Sequence, residues 1–216
     1  AKIAMKDYGE VETLTENTLT DNLATDENVS TFNHLNYASV SATGIAIDGV
    51  VVYPSLNNTL AFAQEVGEIT STGIHSGRGL GAHYHADGHS ATGRGFNLYN
   101  TPDYAGQTHP PIISLGFDGI AGYGKYIPND TSSEGATEPL DAWGGHRHGI
   151  YGYHYHSETA TQTATSPGSQ NQSFTAHMLP PRGAWRGKIN TIPEFWDGRA
   201  PVYGGRPNRY HGIEER

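Results

Sequence analysis

The sequence predicts a mainly β fold: a sandwich-like single domain built from two related halves, with long Gly-rich loops and one or two short helices. Three observations carry that expectation. The 216-residue chain holds 28 Gly, 12 Pro and 13 Tyr with only 16% charged residues, which suits short strands joined by structured loops and disfavours a helical bundle. Short runs alternate apolar and polar residues, the period of a half-buried strand. One strand–turn–strand pattern occurs twice. With 35% hydrophobic and 10% aromatic residues the chain can bury a sizeable core.

The elements follow in order. Residues 1–40 are an acidic, Thr-rich segment; between residues 7 and 30 they carry Asp7, Glu10, Glu12, Glu16, Asp21, Asp26 and Glu27 and no Lys or Arg. "VETLTENTLT" within them reads as a strand, one that a neighbouring chain could take up. Residues 41–180 form the β domain. "GIAIDGVVVY" (44–53) reads strand, Asp-Gly turn, strand. "NNTLAFAQEVG" (57–67) is the best short-helix candidate, with Gly67 as its stop. "PPIISLGFDGIAGYGKY" again reads strand, Asp-Gly turn, strand. Residues 129–141 and 159–173 read as polar loops. The tail, 182–216, holds seven basic against four acidic residues and three aromatic pins, Trp185, Phe195 and Trp196, that would pack it on the domain.

Several function classes are disfavoured. The net charge of −9 and the lack of a basic face argue against nucleic acid as a partner. No apolar run is long enough for a membrane span. There is no Cys, so no disulfide, thiolate ligand or Cys nucleophile. The sequence starts at Ala1 without Met, which fits a mature product freed of a signal peptide. Sequons at Asn28, Asn57, Asn129 and Asn171 would matter only on a glycosylating route.

Histidine is the abundant functional residue, 12 copies against 13 Lys and Arg together. "GIHSGRGLGAHYHA" (73–86) aligns with "GGHRHGIYGYHYHS" (144–157) at a shift of 71 residues. His75 then falls on His146, His83 on His154, Tyr84 on Tyr155 and His85 on His156. Upstream, "IDGVVVY" aligns with "FDGIAGY" at a shift of 70, placing Asp48 on Asp118 and Tyr53 on Tyr123. Alternate strand residues share a face, so His83 with His85, and His154 with His156, project together while the Tyr between them points the other way. His75 or His146 would complete a three-imidazole site, the donor set of catalytic zinc and of several copper centres. His89, His148, Asp48 and Asp118 are weaker metal candidates, the two Asp either as carboxylates that orient a ligand His or as turn residues only. The alternative is a hydrogen-bonded polar core without metal. His34, His109, His177 and His211 lack matched partners and are read as structural or surface residues.

"GYHYHS", "GAHYHADGHS", "AIDGVVVY", "LGFDGIAGYG" and "LDAWGGHRHG" together resemble the YHYH-domain family. The likeness spans roughly residues 40–157. The family's DG-x-x-x-Y element lies here at Asp118–Tyr123 and its Leu-Asp…Gly-His element at Leu140–His146. The first copy departs from the motif at Ala82, and positions where many relatives carry Cys are Ala142 and Trp143. The resemblance implies an exported, metal-binding domain and supplies no reaction.

Three functional readings follow in order. The first is a secreted His-rich metal-binding protein, with copper as first choice and zinc second, located outside the cell or on its surface, with the periplasm as the alternative. The second is a structural subunit of an extracellular filament or surface assembly, self-associating through its N-terminal segment. The third is a metal-dependent enzyme. Glu158, Asp87 and Asp141 lie near the His segments, but neither His-Glu-x-x-His nor Gly-x-Ser-x-Gly occurs, and an enzyme is the least favoured.

Overall fold

A computed structural model describes residues 3–7, 9–10, 42–57, 61–76, 81–92, 97–125, 139–141, 143–181 and 185–188. The fold is mainly β. Twelve strands are described: β1 (Gly44–Ala46), β2 (Val51–Val52), β3 (Ile74–Ser76), β4 (Ala82–Tyr84), β5 (His89–Ser90), β6 (Tyr99–Asn100), β7 (Ile112–Gly116), β8 (Ala121–Tyr123), β9 (Gly145–His148), β10 (Tyr151–His156), β11 (Glu158–Thr163) and β12 (Ser173–Met178). Among the described residues they pair as one eight-stranded sheet, ordered β3-β4-β2-β1-β7-β8-β10-β9, and two two-stranded ones, β11-β12 and β5-β6. β1 and β7 pair antiparallel, so both strand groups belong to one hydrogen-bonded sheet.

That sheet reads the same outward from the β1–β7 pair in both directions. β1 runs antiparallel to β2, β2 parallel to β4 and β4 antiparallel to β3; β7, β8, β10 and β9 repeat those directions. Ile45 of β1 faces Leu115 of β7, the residue 70 positions further on. A pair of that kind lies on an approximate two-fold axis.

The Asp-Gly turns are built alike. Gly49 N donates to Ala46 O, and Val50 N donates to Asp48 Oδ1 at 3.0 Å. Gly119 N donates to Gly116 O, and Ile120 N to Asp118 Oδ1 at 3.2 Å. Both glycines need the left-handed region, with φ of +88° at Gly49 and +83° at Gly119.

One core cluster joins Ala46, Val52, Tyr84, Leu98, Tyr99, Ile113 and Leu179 across both halves of the sheet. A smaller one gathers Leu56, Phe62, Ala176 and Met178 beneath the β11–β12 hairpin. The described part of the tail packs against residues flanking β1 and β7. Trp185 is fully buried, stacks on Phe117 and donates its Nε1–H to Thr43 O at 2.8 Å. Glu10 from the acidic N-terminal segment pairs with Arg186 at 3.3 Å and with Arg147, so part of the acid–base split between the ends is satisfied inside the chain.

Two expectations need correcting. Residues 61–67 form hydrogen-bonded turns rather than a regular helix, tied by a bridge between Leu56 and Phe62 and by Asn57 Oδ1 accepting from Ala61 N. The competing partner is this side chain and strand segment, which draws the backbone out of a helical ladder. The described short helix is instead a 3-10 turn, Thr101–Tyr104, with Pro102 in its first turn. Within 159–173, residues up to Thr163 are strand β11, paired with β12 in an antiparallel hairpin; its Thr and Gln side chains alternate without an apolar face, which disguised it. The expected N-terminal strand, Phe195 and Trp196 lie outside the described residues. Among the described residues no helix is long and apolar enough to cross a membrane, which says nothing of a β-barrel.

The two turns allow a paired test. A Cβ at Gly49 would meet nothing within 4 Å, while one at Gly119 would lie 2.3 Å from the Ala4 carbonyl oxygen. Gly49→Ala is expected to cost about 1–2 kcal/mol, the left-handed backbone penalty alone. Gly119→Ala adds overpacking and should cost roughly 1–3 kcal/mol more. Urea unfolding midpoints of the two variants measure the difference.

Candidate metal centres

Strand geometry places the imidazoles. On β3 and β4, His75 faces His83 across an antiparallel pair, and His146 faces His154 in the same way on β9 and β10. His85 and His156 follow two residues on, each anchored through its backbone N–H, to Gly73 O and Gly144 O, at 2.9 Å. Gly145 makes close approach of the second pair feasible: a Cβ there would lie 2.5 Å from the carbonyl oxygen of His154.

The intervening tyrosines turn to the opposite face. Tyr84 donates its hydroxyl to Asp48 Oδ2 at 2.7 Å, and Tyr155 donates to Asp118 Oδ2 at 2.7 Å. Asp118 also accepts from Gly187 N at 3.0 Å, and Tyr155 Oη accepts from Arg186 N at 2.6 Å, so this motif tyrosine and turn carboxylate hold the tail in place. Burial pushes Asp118 up to about 6 against these stabilising hydrogen bonds. Neither Asp reaches an imidazole; both serve the turn and the tyrosine.

Two groups of histidines have ligand atoms that all lie within 4.8 Å of one another: His75, His83 and His85, and His109, His148, His154 and His156. In the first, ring centroids are 4.9–5.5 Å apart and Nε2 of His83 stands 3.2 Å from Nε2 of His85. In the second, Nε2 of His154 stands 3.0 Å from Nε2 of His156, 3.2 Å from that of His148 and 3.4 Å from that of His109. Donor atoms around a tetrahedral ion with bonds of about 2.0–2.1 Å stand roughly 3.3 Å apart.

The backbone decides which nitrogen faces inward. Nδ1 of His83 lies 3.1 Å from Gly81 O, and Nδ1 of His85 lies 2.5 Å from Pro54 O. Nδ1 of His154 lies 2.7 Å from Gly152 O, that of His156 2.9 Å from Gly124 O and that of His109 2.8 Å from Pro110 O. A carbonyl oxygen can only accept, so each of these Nδ1 atoms carries the hydrogen. Each Nε2 of the neutral ring therefore turns a bare lone pair into the cluster. Lone pairs this close repel unless a proton or a metal cation lies between them.

Protonation is the disfavoured remedy. Burial pulls His85 and His154 down to about 4 and His156 down to about 3, against the backbone hydrogen bonds that favour the charged ring. Neighbouring imidazoles lower all three further. His83 is lowered as well, burial being the main cause.

Of the sequence candidates, His75, His83 and His85 come together in one group, and His154 and His156 in the other. His146 lies beside the second group, its ring 5.0 Å from both His154 and His156, but outside the set of four. His148, two residues on and on the same face of β9, joins the set. His89 stands apart from both groups, 3.3 Å from Asp87 and near the ring of His177. Sequence reasoning passed over His109, which stacks on Tyr151 at 4.2 Å and meets Tyr123 edge-on at 4.5 Å. It sits before Pro110-Pro111 in a loop without a repeat partner, so only tertiary folding reveals it; for His148, the period-two spacing from His146 was the available signal. His34 and His211 lie outside the described residues. Of the nearby acids, Asp141 is occupied as a cap: it accepts from Trp143 N, Gly145 N and the Tyr153 hydroxyl, which fixes the start of β9.

No family model, curated protein or solved structure matches the chain.

The depressed histidines give the metal-free protein a definite acid response. Unfolded imidazole takes its proton near 6.5, while folded His85, His154 and His156 refuse it until about 3–4. The unfolded state binds more protons across that window, so stability falls as pH drops from about 6.5 to 4. Asp118, raised to about 6, works in the opposite sense and offsets one of the three. Denaturation of chelator-treated protein across this range should show a slope of at least about 1.4 kcal/mol per pH unit, the value for one net proton. A flat profile would mean that the rings are charged or exposed.

Proposed function

We propose that the chain is a secreted, His-rich metal-binding protein whose two histidine groups hold transition-metal ions, copper first and zinc second. The observation that carries this is the convergence of Nε2 atoms at 3.0–3.4 Å in the larger group, those of His109, His154 and His156 turned inward by backbone carbonyls on Nδ1. The donors are neutral imidazoles with no thiolate in the chain, a set that suits Cu(II) and Zn(II), and copper is the tighter binder of the two. The near-tetrahedral spacing also suits zinc, so the ranking rests on affinity.

Kinship with the YHYH-domain family belongs to the same proposal. The bonds from Tyr84 to Asp48 and from Tyr155 to Asp118 support it, because they give the DG element and the YHYH element one shared task. Export is proposed from the resemblance alone, and self-association from the acidic Thr-rich start and the basic tail. Light scattering tests the second of these, and a monodisperse monomer would remove it.

Elemental analysis of natively purified protein is the direct test of metal binding. About two copper or zinc ions per chain are expected, falling to about one in a His154→Ala/His156→Ala variant. A metal-free protein, unchanged by the substitutions, would overturn the reading.

A further inference from the structure

The approximate two-fold of the sheet allows the two groups to be compared position by position within one chain. His75, His83 and His85 occupy the places of His146, His154 and His156. The inner strands, the carbonyl partners of Nδ1 and the tyrosine walls correspond as well. Tyr53 lies 4.5 Å from His83, and Tyr123 lies 5.1 Å from His154.

The groups differ at three positions: His146, the counterpart of His75, stands outside the second group, and two other donors join it. The second adds His148 from β9 and His109 from the loop before β7. At the shift that superposes the His segments, the residue matching His148 is Gly77, which has no side chain to offer. His109 has no matched histidine. Among the described residues the first group therefore offers three imidazoles where the second offers four.

Three neutral imidazoles do not complete a tetrahedral shell, whereas four do. We propose that the two groups have different tasks: His109, His148, His154 and His156 enclose a structural ion, and His75, His83 and His85 hold an ion that takes a fourth donor from outside the chain. The class of ligand is a small donor such as water, azide or another compact anion. His75 is only half-buried beside the buried His83 and His85, which leaves an approach from that side. The proposal rests on the metal-binding reading above. A competing donor is Glu68, an exposed carboxylate whose charge acts on His83.

Cobalt(II) makes the test visible, since its d–d spectrum reports the donor set of each ion. The full chain loaded with cobalt is titrated with azide. About two cobalt ions per chain are expected, of which only the ion lost in His83→Ala/His85→Ala changes its spectrum with azide. A second variant guards against misfolding of the first: His148→Gly copies the residue at the matching position and should make the other ion respond to azide as well. Uptake of less than about one cobalt per chain would sink the metal-binding reading itself. Two bound ions with no azide response, a response that survives in His83→Ala/His85→Ala, or one that appears only in Glu68→Ala would overturn this proposal and leave metal binding standing.

Discussion

The arrangement depends on a small set of hydrogen bonds, those from imidazole Nδ1 to backbone carbonyls. Pro54 and Gly124 hold His85 and His156, while Gly81 and Gly152 hold His83 and His154. A histidine free to rotate would turn its lone pair to solvent and form an ordinary polar surface. Here the carbonyls fix both tautomer and ring direction, and the inward nitrogens repel one another in a buried space. An ion placed between them would relieve this local penalty.

The sheet positions those carbonyls twice. Each donor strand lies parallel to the second strand of an Asp-Gly hairpin, β4 beside β2 and β10 beside β8. Just past those hairpin strands, Pro54 and Gly124 present their carbonyls to the second imidazole of each motif. The tyrosine between the imidazoles closes the unit from the other face by bonding the turn carboxylate. Histidine pair, tyrosine and Asp-Gly turn thus form one mechanical element, and an apparently ordinary turn residue becomes part of how the donors are aimed. The second copy is the more deeply built: Asp118 is buried and accepts from Gly187 N, whereas Asp48 is exposed.

Much of this was legible in the sequence, and the rest was hidden for identifiable reasons. The strand–turn–strand pairs at Asp48-Gly49 and Asp118-Gly119 could be read because the turn chemistry is local. The shared face of His83 with His85, and of His154 with His156, followed from strand periodicity. His109 could not be read, since its place depends on β7 joining the centre of the sheet and nothing near it in the chain repeats. The turn segment at 61–67 misled because its apolar spacing fits a helix, while the outcome is set by the bridge to Leu56 and the cap from Asn57. Strand β11 misled in the opposite way, with a polar run that pairs along its whole length with β12.

Among the described strands, β3 and β9 lie at the two outer margins of the large sheet. Such margins present unpaired peptide groups and tend to peel away or recruit foreign strands. His75 sits on one margin and His148 on the other, each grouped with imidazoles of the strand just inside. An ion bound there fastens the outermost strand to its neighbour through side chains, in addition to the backbone ladder. Loading with metal would then act at the rims as a rivet, stiffening the places where a sheet most readily frays.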